Sequence, residues 1–471
     1  MVFSSLFFLY AFLPVCLIAV WLAKRTKTQN VILLVASLFF YAWGEPIYVL
    51  LLILTSLFIW IAGRCMARER SRKNRKIWLV IAVTVALISL GVFKYAGLFV
   101  SMLNVIPFIN LPVPEISLPI GISFYTFQAL TYIIDLYRGE IRPQRSFFRF
   151  LLYVSLFPQL IAGPIVRYSD IERQLTHREI TLEGMHKGLT RFLVGLSKKV
   201  LIANYASEIV EMTLETPHFE TISSATAILG IVAFSIQIYF DFSGYSDMAI
   251  GLGHMFGFEF RENFRYPFVA TSLNDYWRRW HISLSSFFRD YLYIPLGGNR
   301  RHHTRNMFIV WLLTGLWHGA HLNFILWGIF WFVMLALERW LKKRIRRPWP
   351  KVISWALVAM TVMMAFTFFY FTDFSRMATY FQRVFAPGLA GFMDLEASIL
   401  WKQHIVFLLI ATICGLPIVP KVKERYGREW LRFQSTRIGG AVHVIVIFGM
   451  LLMTTAALAT STYNPFLYFR F

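Results

Sequence analysis

The chain is short of charge, and shorter still of acid. Only 15% of its 471 residues are charged, and 25 Asp and Glu stand against 47 Lys and Arg. A soluble protein carries about 25% charged residues, so an ordinary soluble domain is excluded. Cysteine is nearly missing. Cys16, Cys65 and Cys414 are scattered in or beside apolar runs, which excludes a disulfide framework and a cysteine-based metal site. There is no internal repeat, no low-complexity segment and no stretch with the composition of a soluble domain. No basic segment precedes the first apolar run, which starts at Phe3, so that run is expected to be a retained span rather than a cleaved signal peptide.

What is abundant is apolar. The chain is 57% hydrophobic and 17% aromatic, with a mean hydropathy of +0.56. Many runs approach the ~20 apolar residues that cross a bilayer. The composition predicts an all-α polytopic membrane protein whose length supplies about ten or more spans of one membrane domain. A net charge of +22 would suggest nucleic acid in a soluble chain. Here the cations sit in short loops, where topology accounts for them, and no nucleic-acid partner is expected. A smaller share of the charge suits an anionic cofactor or lipid headgroups.

Loop charge sets the expected orientation. Lys24, Arg25 and Lys27 follow the first run; Arg64 to Lys76 holds seven Lys/Arg, Arg138 to Arg149 four, Glu338 to Lys351 seven and Lys421 to Arg437 six. These segments are expected to face the cytoplasm, whereas Trp43–Pro46 and Phe99–Ser117 contain neither Lys nor Arg. Both termini are then extracytoplasmic. Candidate spans are 3–22, 30–43, 47–63, 77–98, 118–136, 191–210, 225–241, 307–337 (long enough for a broken pair), 352–371, 404–420 and 438–459. Residues 150–300 mix half-length apolar runs with Pro, Gly and charge. They predict re-entrant or broken helices, which are tolerated only when buried in protein or lining a watery cavity.

His318, in Thr314-Gly-Leu-Trp317-His318-Gly319-Ala320, puts an imidazole inside one of the most apolar stretches. Intramembrane ionisable groups are expensive and functional by default, and imidazole is suited to moving protons near neutral pH. The bland reading is a packed histidine bonded to helix backbone. A second unusual stretch runs from Leu273 through Trp277-Arg278-Arg279-Trp280-His281 to Ser285. On a helix Trp277 and Trp280 would share a face, as would Arg278 and His281. This fits a helix lining a cavity, or an interfacial Trp/Arg anchor. The run Pro295 to Arg305 combines a glycine turn with Asn299, Arg300, Arg301, His302, His303 and Arg305. Flexible backbone with clustered cations suits a polyphosphate such as coenzyme A, and an ordinary positive loop equally well. Asp241 and Asp247 need partners at membrane depth, for which Arg278 or Arg279 could serve. They read as structural pairing rather than as catalytic acids. Pro158-Gln159 to Gly163-Pro164 looks like a broken helix, and the terminal Phe466-Leu-Tyr468-Phe-Arg-Phe471 forms an aromatic cluster.

Together these motifs resemble the membrane-bound O-acyltransferase (MBOAT) family. The resemblance rests on Trp277-Arg-Arg-Trp-His281-Ile-Ser-Leu-Ser, Leu296-Gly-Gly-Asn-Arg300, Leu316-Trp-His-Gly319, Asp241-Phe-Ser-Gly-Tyr-Ser-Asp247, Leu118-Pro-Ile-Gly-Ile-Ser-Phe-Tyr125 and the opening Met1-Val-Phe-Ser-Ser. It covers essentially the whole chain. It is strongest toward the bacterial branch of alginate and peptidoglycan O-acetyltransferases and teichoic-acid D-alanyl transfer proteins. It implies a ring of helices around a tunnel, with residues 1–460 as the acyltransferase domain and 461–471 as an extracytoplasmic tail. It implies His318 as the catalytic histidine and His281 as the second motif histidine. Trp277, Trp280, Trp317, Arg278, Arg279, Asn299, Arg300, Arg301 and Arg305 are then candidates for the tunnel wall or the donor site.

Acetyl-CoA is the expected donor substrate, with no permanently bound cofactor and no metal. The tail is similar to the aromatic tails of small partner peptides in the D-alanylation system, which implies Tyr468 as acyl acceptor. The expected function is transfer of an acetyl group across the cytoplasmic membrane of a bacterium. It would pass through Tyr468 to an extracytoplasmic Ser-His-Asp-type O-acetyltransferase, which modifies a cell-wall polymer or exopolysaccharide. Direct transfer without Tyr468, a transporter and a structural scaffold are the alternatives. A transporter would favour inverted repeats, which the sequence lacks.

Overall fold

A computed structural model describes residues 1–345, 349–386, 391–427 and 436–460. Among them the secondary structure is helical, with no strand. Twelve longer helices carry the architecture: α1 (Phe8–Leu22), α2 (Thr26–Ala42), α3 (Tyr48–Arg68), α4 (Arg72–Leu103), α5 (Ile122–Arg138), α6 (Leu182–Ser197), α7 (Ser224–Met255), α8 (His303–His318), α9 (Leu322–Arg344), α10 (Lys351–Tyr370), α11 (Leu395–Cys414) and α12 (Arg437–Thr460). Seven of these, α3, α4, α7 and α9 to α12, are long and apolar enough to cross a membrane. The expected spans at 30–43 and 118–136 fall on the 17-residue helices α2 and α5, and the broken pair expected over 307–337 is α8 and α9. The proposed tail, including Tyr468, lies outside the described residues.

Helix α7 is the axis of the fold. Ser223 caps it by accepting a hydrogen bond from the Thr226 N–H, and 89% of its most apolar stretch is buried. It does not end near residue 241, as its hydropathy suggests, but runs on through Asp241 and Asp247 to Met255. The carboxylates are tolerated because cations from the preceding segment meet them. Arg191 and Lys198 reach Asp247 at 2.5 and 2.6 Å, and Lys199 reaches Asp241 at 3.0 Å. The partners are therefore not Arg278 and Arg279, which lie beyond the next turn of the chain. Small residues let α6 and α7 come this close. A Cβ on Gly195 would sit 2.5 Å from the Gly244 carbonyl, and one on Gly188 2.6 Å from the Gly251 carbonyl.

Two apolar clusters flank this axis. One packs α1 to α5 with the buried segment Phe147–Val166. The other packs the second half of the chain around Trp280, Trp327, Trp331 and Phe366. Phe157–Leu160 is a four-residue helix buried throughout, and Gly163 leaves it in a left-handed conformation at φ +115°. This is the short irregular backbone expected between Pro158 and Pro164.

Candidate active site

His318 is the last residue of α8, and Gly319 then breaks the helix in an extended conformation, φ −172°. Glycine serves space here rather than flexibility, because a Cβ on Gly319 would lie 2.2 Å from the Phe324 ring. The imidazole is buried among three aromatic rings: Trp317, Trp327 and Phe369, at centroid distances of 4.9, 4.8 and 5.1 Å. Asn323, wholly buried, donates from its amide to the carbonyls of Phe368 and Phe369 at 3.1 and 3.3 Å, tying the start of α9 to the end of α10. The Nδ1 of His318 is buried without a hydrogen-bond partner among the described residues. Leaving such a group unmatched costs about 1–3 kcal/mol, which argues against a merely packed histidine.

His281 reaches the same centre from another element. The stretch 273–285 is not one helix. It is Leu273–Arg279 followed by Ile282–Phe288, with His281 between them at φ +42°, a left-handed conformation that costs a non-glycine residue about 1–3 kcal/mol. Asn263 holds that break. Its backbone carbonyl accepts from Ile282 N–H at 2.9 Å, and its side-chain oxygen accepts from the Ser283 hydroxyl at 2.9 Å and lies 3.2 Å from His281 Nδ1. The Asn263 amide donates to Ser246 on α7 at 3.1 Å. His281 Nε2 is buried without a partner among the described residues. Trp317 joins the two histidines, its ring 5.8 Å from that of His281 and 4.9 Å from that of His318.

The break also separates residues that a continuous helix would align. Trp277 packs on Trp311 and Trp331, at 4.6 and 5.0 Å, and meets Trp327, the ring that covers His318, at 5.9 Å. Trp280 instead stacks on Tyr276 and meets Phe366. Arg278 is exposed, and Arg279 pairs with Asp275 at 2.9 Å on its own helix.

A narrow cleft of about 40 Å³, room for a water molecule or two, adjoins His318. Its wall is Leu118 to Phe124 with Ile161, Trp317 and Lys94. A larger cavity of about 450 Å³ lies between the Lys/Arg-poor segment at Pro114–Ile116 and the α8–α9 turn, and Lys94 lines it too. At the other end of α8, a cavity of about 450 Å³ is lined by His302, His303, Arg305, Arg339, Trp340 and Lys343. Thirteen residues of helix separate Arg305 from His318, about 20 Å at 1.5 Å per residue. Asn299, Arg300 and Arg301 are exposed in the preceding turn, where Tyr293 donates to the Asn299 side chain at 2.6 Å. Among the described residues, no three His, Cys, Asp or Glu side chains are grouped as metal ligands.

Sequence reasoning missed Lys94 and Asn263. The signal for Lys94 was present: a single cation inside the apolar run 77–98 is an intramembrane ionisable residue like His318. Asn263 carries no such signal, since its role rests on a backbone break that only the fold displays.

A family model for membrane-bound O-acyltransferases matches residues 117–381, which contain both histidines and the 118–124 wall. The chain is 37% identical to the probable alginate O-acetylase AlgI of Pseudomonas putida, over the full length of both proteins. It is 34% identical to the peptidoglycan O-acetyltransferase of Helicobacter pylori, across 78% of this chain and 77% of that protein. It is 28% identical to the teichoic acid D-alanyltransferase of Bacillus subtilis, across 57% and 73% respectively. With its multi-pass helical fold and a buried histidine between two cavities, the chain belongs to the membrane-bound O-acyltransferase family and is an acyltransferase.

Proposed function

We propose that the protein moves an acetyl group from cytosolic acetyl-CoA through the bacterial cytoplasmic membrane to an extracytoplasmic acceptor, for O-acetylation of an exopolysaccharide or cell-wall polymer. One observation carries the reading: His318 is buried at the end of a broken helix, with an unpartnered ring nitrogen and a cavity toward each end of α8. The basic cavity at His302, His303 and Arg305 supports a polyphosphate headgroup there, and the ~20 Å of helix beyond it is a span for a long thioester arm. His318 acts as general base on the attacking hydroxyl. His281, sharing the Trp317 ring, orients or polarises the reacting group. The names of the relatives, which act on alginate, peptidoglycan and teichoic acid, support a polymer as final acceptor.

In this reading Tyr468 is the first acceptor. A phenol with a pKa of about 10 needs a base to attack near neutral pH, and His318 supplies it. A separate extracytoplasmic enzyme of the Ser-His-Asp type then takes the acetyl group from Tyr468. Both termini stand outside the cytoplasm, as the loop charges imply.

The test is mass spectrometry of the C-terminal peptide after purified protein meets isotopically labelled acetyl-CoA, with His318→Ala and Tyr468→Phe alongside. Label on Tyr468 that vanishes in His318→Ala is the expected result. Release of free CoA that depends on His318 but leaves Tyr468 unlabelled would replace the relay by direct transfer. Label transfer undiminished in His318→Ala would end the mechanism.

A further inference from the structure

Lys94 is a buried lysine in the last third of α4, and the mechanism above does not use it. It has no acidic partner among the described residues. Its ammonium donates to the carbonyl of Trp317, the residue before His318, and lies 3.5 Å from the Ser123 hydroxyl. Its neighbour Tyr95 donates to the Leu316 carbonyl. Two consecutive residues of α4 thus hold the last free carbonyls of α8, where a cation also suits the negative end of the helix dipole. Capping alone leaves two facts unexplained. An ammonium has three N–H donors; two meet oxygens, and although the charge also lies 5.8 Å from the Trp317 ring centroid, no third oxygen is met among the described residues. Lys94 also lines both the cleft at His318 and the cavity on the Lys/Arg-poor side, so its charge stands where the two meet. The buried carboxylates on α7, by contrast, all have cations beside them.

We propose that the Lys94 ammonium is a catalytic group that donates its remaining N–H to the acyl carbonyl oxygen as that oxygen becomes an oxyanion; the proposal rests on acyl transfer at His318. The acceptor oxygen bonds to the carbonyl carbon and its proton passes to His318. The carbonyl π pair moves onto oxygen, opposite the Lys94 charge. On collapse the C–O double bond re-forms, the C–S bond breaks, and the thiolate takes the proton from imidazolium. Lys94 keeps its proton throughout. A positive donor fixed in a water-poor cleft acts at full strength on charge that develops only in the transition state.

The test separates charge from capping. Lys94→Gln keeps an N–H that can reach the Trp317 carbonyl but removes the charge, and Lys94→Met removes both. Each is compared with wild type and with His318→Ala for turnover of labelled acetyl-CoA, with melting temperature as the folding control. A fall of about 10²–10³-fold in kcat for Lys94→Gln, with KM for acetyl-CoA within about threefold of wild type, is expected for loss of one oxyanion donor. The loss should shrink with fluoroacetyl-CoA, whose oxyanion needs less help, whereas a displaced helix end would penalise both donors equally. Lys94→Gln turning over at the wild-type rate, or losing equally on both donors, would overturn the proposal while leaving His318 untouched. An active His318→Ala would overturn the acyl-transfer reading itself. Should Lys94→Met fail to fold, the Lys94→Gln comparison alone decides.

Discussion

Gly315→Ala should damage catalysis more than stability. Helices α8 and α9 touch at backbone distance. A Cβ on Gly315 would sit 2.3 Å from the Phe324 carbonyl oxygen and 3.4 Å from Gly328 Cα, and a Cβ on Gly328 would sit 2.4 Å from the Trp311 carbonyl. The atoms it meets are backbone, so no side chain can rotate away. Ordinary contact begins near 3.4 Å, and the helices must part locally by about 1 Å. His318 lies three residues further on, at the end of that helix, and moves with it. A displacement of about 1 Å from productive geometry costs about 10²-fold in rate, near 2.7 kcal/mol of barrier. Stability suffers less: overpacking costs about 1–3 kcal/mol, offset by the ~1 kcal/mol that alanine gains over glycine in a helix. With acetyl-CoA as the proposed donor, the assay is thiol release from it by purified protein, with thermal melting in parallel. Gly91→Ala on α4 is the control, since a Cβ there meets nothing within 4 Å, and it should leave turnover unchanged. Wild-type turnover in Gly315→Ala would refute the claim that this contact sets the position of His318.

Other perturbations probe the frame around the site. Asn263→Ala removes the acceptor at His281 and Ser283 and the donor to Ser246; with buried groups left unmatched it should destabilise by about 2–4 kcal/mol, read as a drop in melting temperature together with lost turnover, and unchanged melting would contradict it. Lys199→Met leaves Asp241 without the ammonium 3.0 Å away. A loss of about 3–5 kcal/mol is expected, with recovery when Asp241→Leu is added, so a double variant no more stable than the single one would count against the pairing. Asp290 lies on the Arg-rich side. Burial pushes its carboxyl up, but hydrogen bonds from Arg289 and Arg167 outweigh burial and hold it below the usual carboxylate range. A depressed folded-state value contributes stability above the unfolded value of about 3.9 and loses it as pH falls through the folded one. The melting-temperature gap between wild type and Asp290→Asn should therefore hold near pH 7 and close below about pH 4; a gap independent of pH would exclude the charge as its source.

The parts of this architecture that show in the sequence are those fixed by local pattern. The membrane class follows from apolar runs, and the broken pair α8–α9 follows from a run too long for one span that carries Gly319 in its middle. The continuity of α7 does not follow. Asp241 and Asp247 interrupt the apolar run, and what lets the helix carry them through the interior is Arg191, 56 residues before Asp247 in the chain, together with Lys198 and Lys199. The Trp277-to-Ser285 stretch misleads in the opposite direction. Its spacing is that of one helix, but His281 takes a left-handed conformation, and Asn263, 18 residues earlier, stabilises it. In both cases the deciding contact is non-local, so no window of sequence contains it.

The contrast between two kinds of buried polar group separates framework from chemistry. Carboxylates on α7 are expensive at membrane depth, and the fold answers each with a cation and with glycines that bring the two helices close enough. The polar atoms around Trp317 are treated differently. His281 Nε2 and His318 Nδ1 are buried without partners among the described residues. Lys94 is bonded to a carbonyl and a hydroxyl rather than to an acid. Internal partners were within reach, since serine, glutamine and carboxylate side chains lie on the adjoining helix α7. Two unpartnered imidazole nitrogens and one ammonium without an acidic partner gather at the Trp317 ring, and in the proposed mechanism their open hydrogen bonds serve a visitor. The visitor must be polar at the point of contact and small enough for a cleft of about 40 Å³. A carbonyl and the hydroxyl that attacks it meet both conditions, and the aromatic walls from Trp317, Trp327 and Phe369 would exclude the water that competes with that hydroxyl.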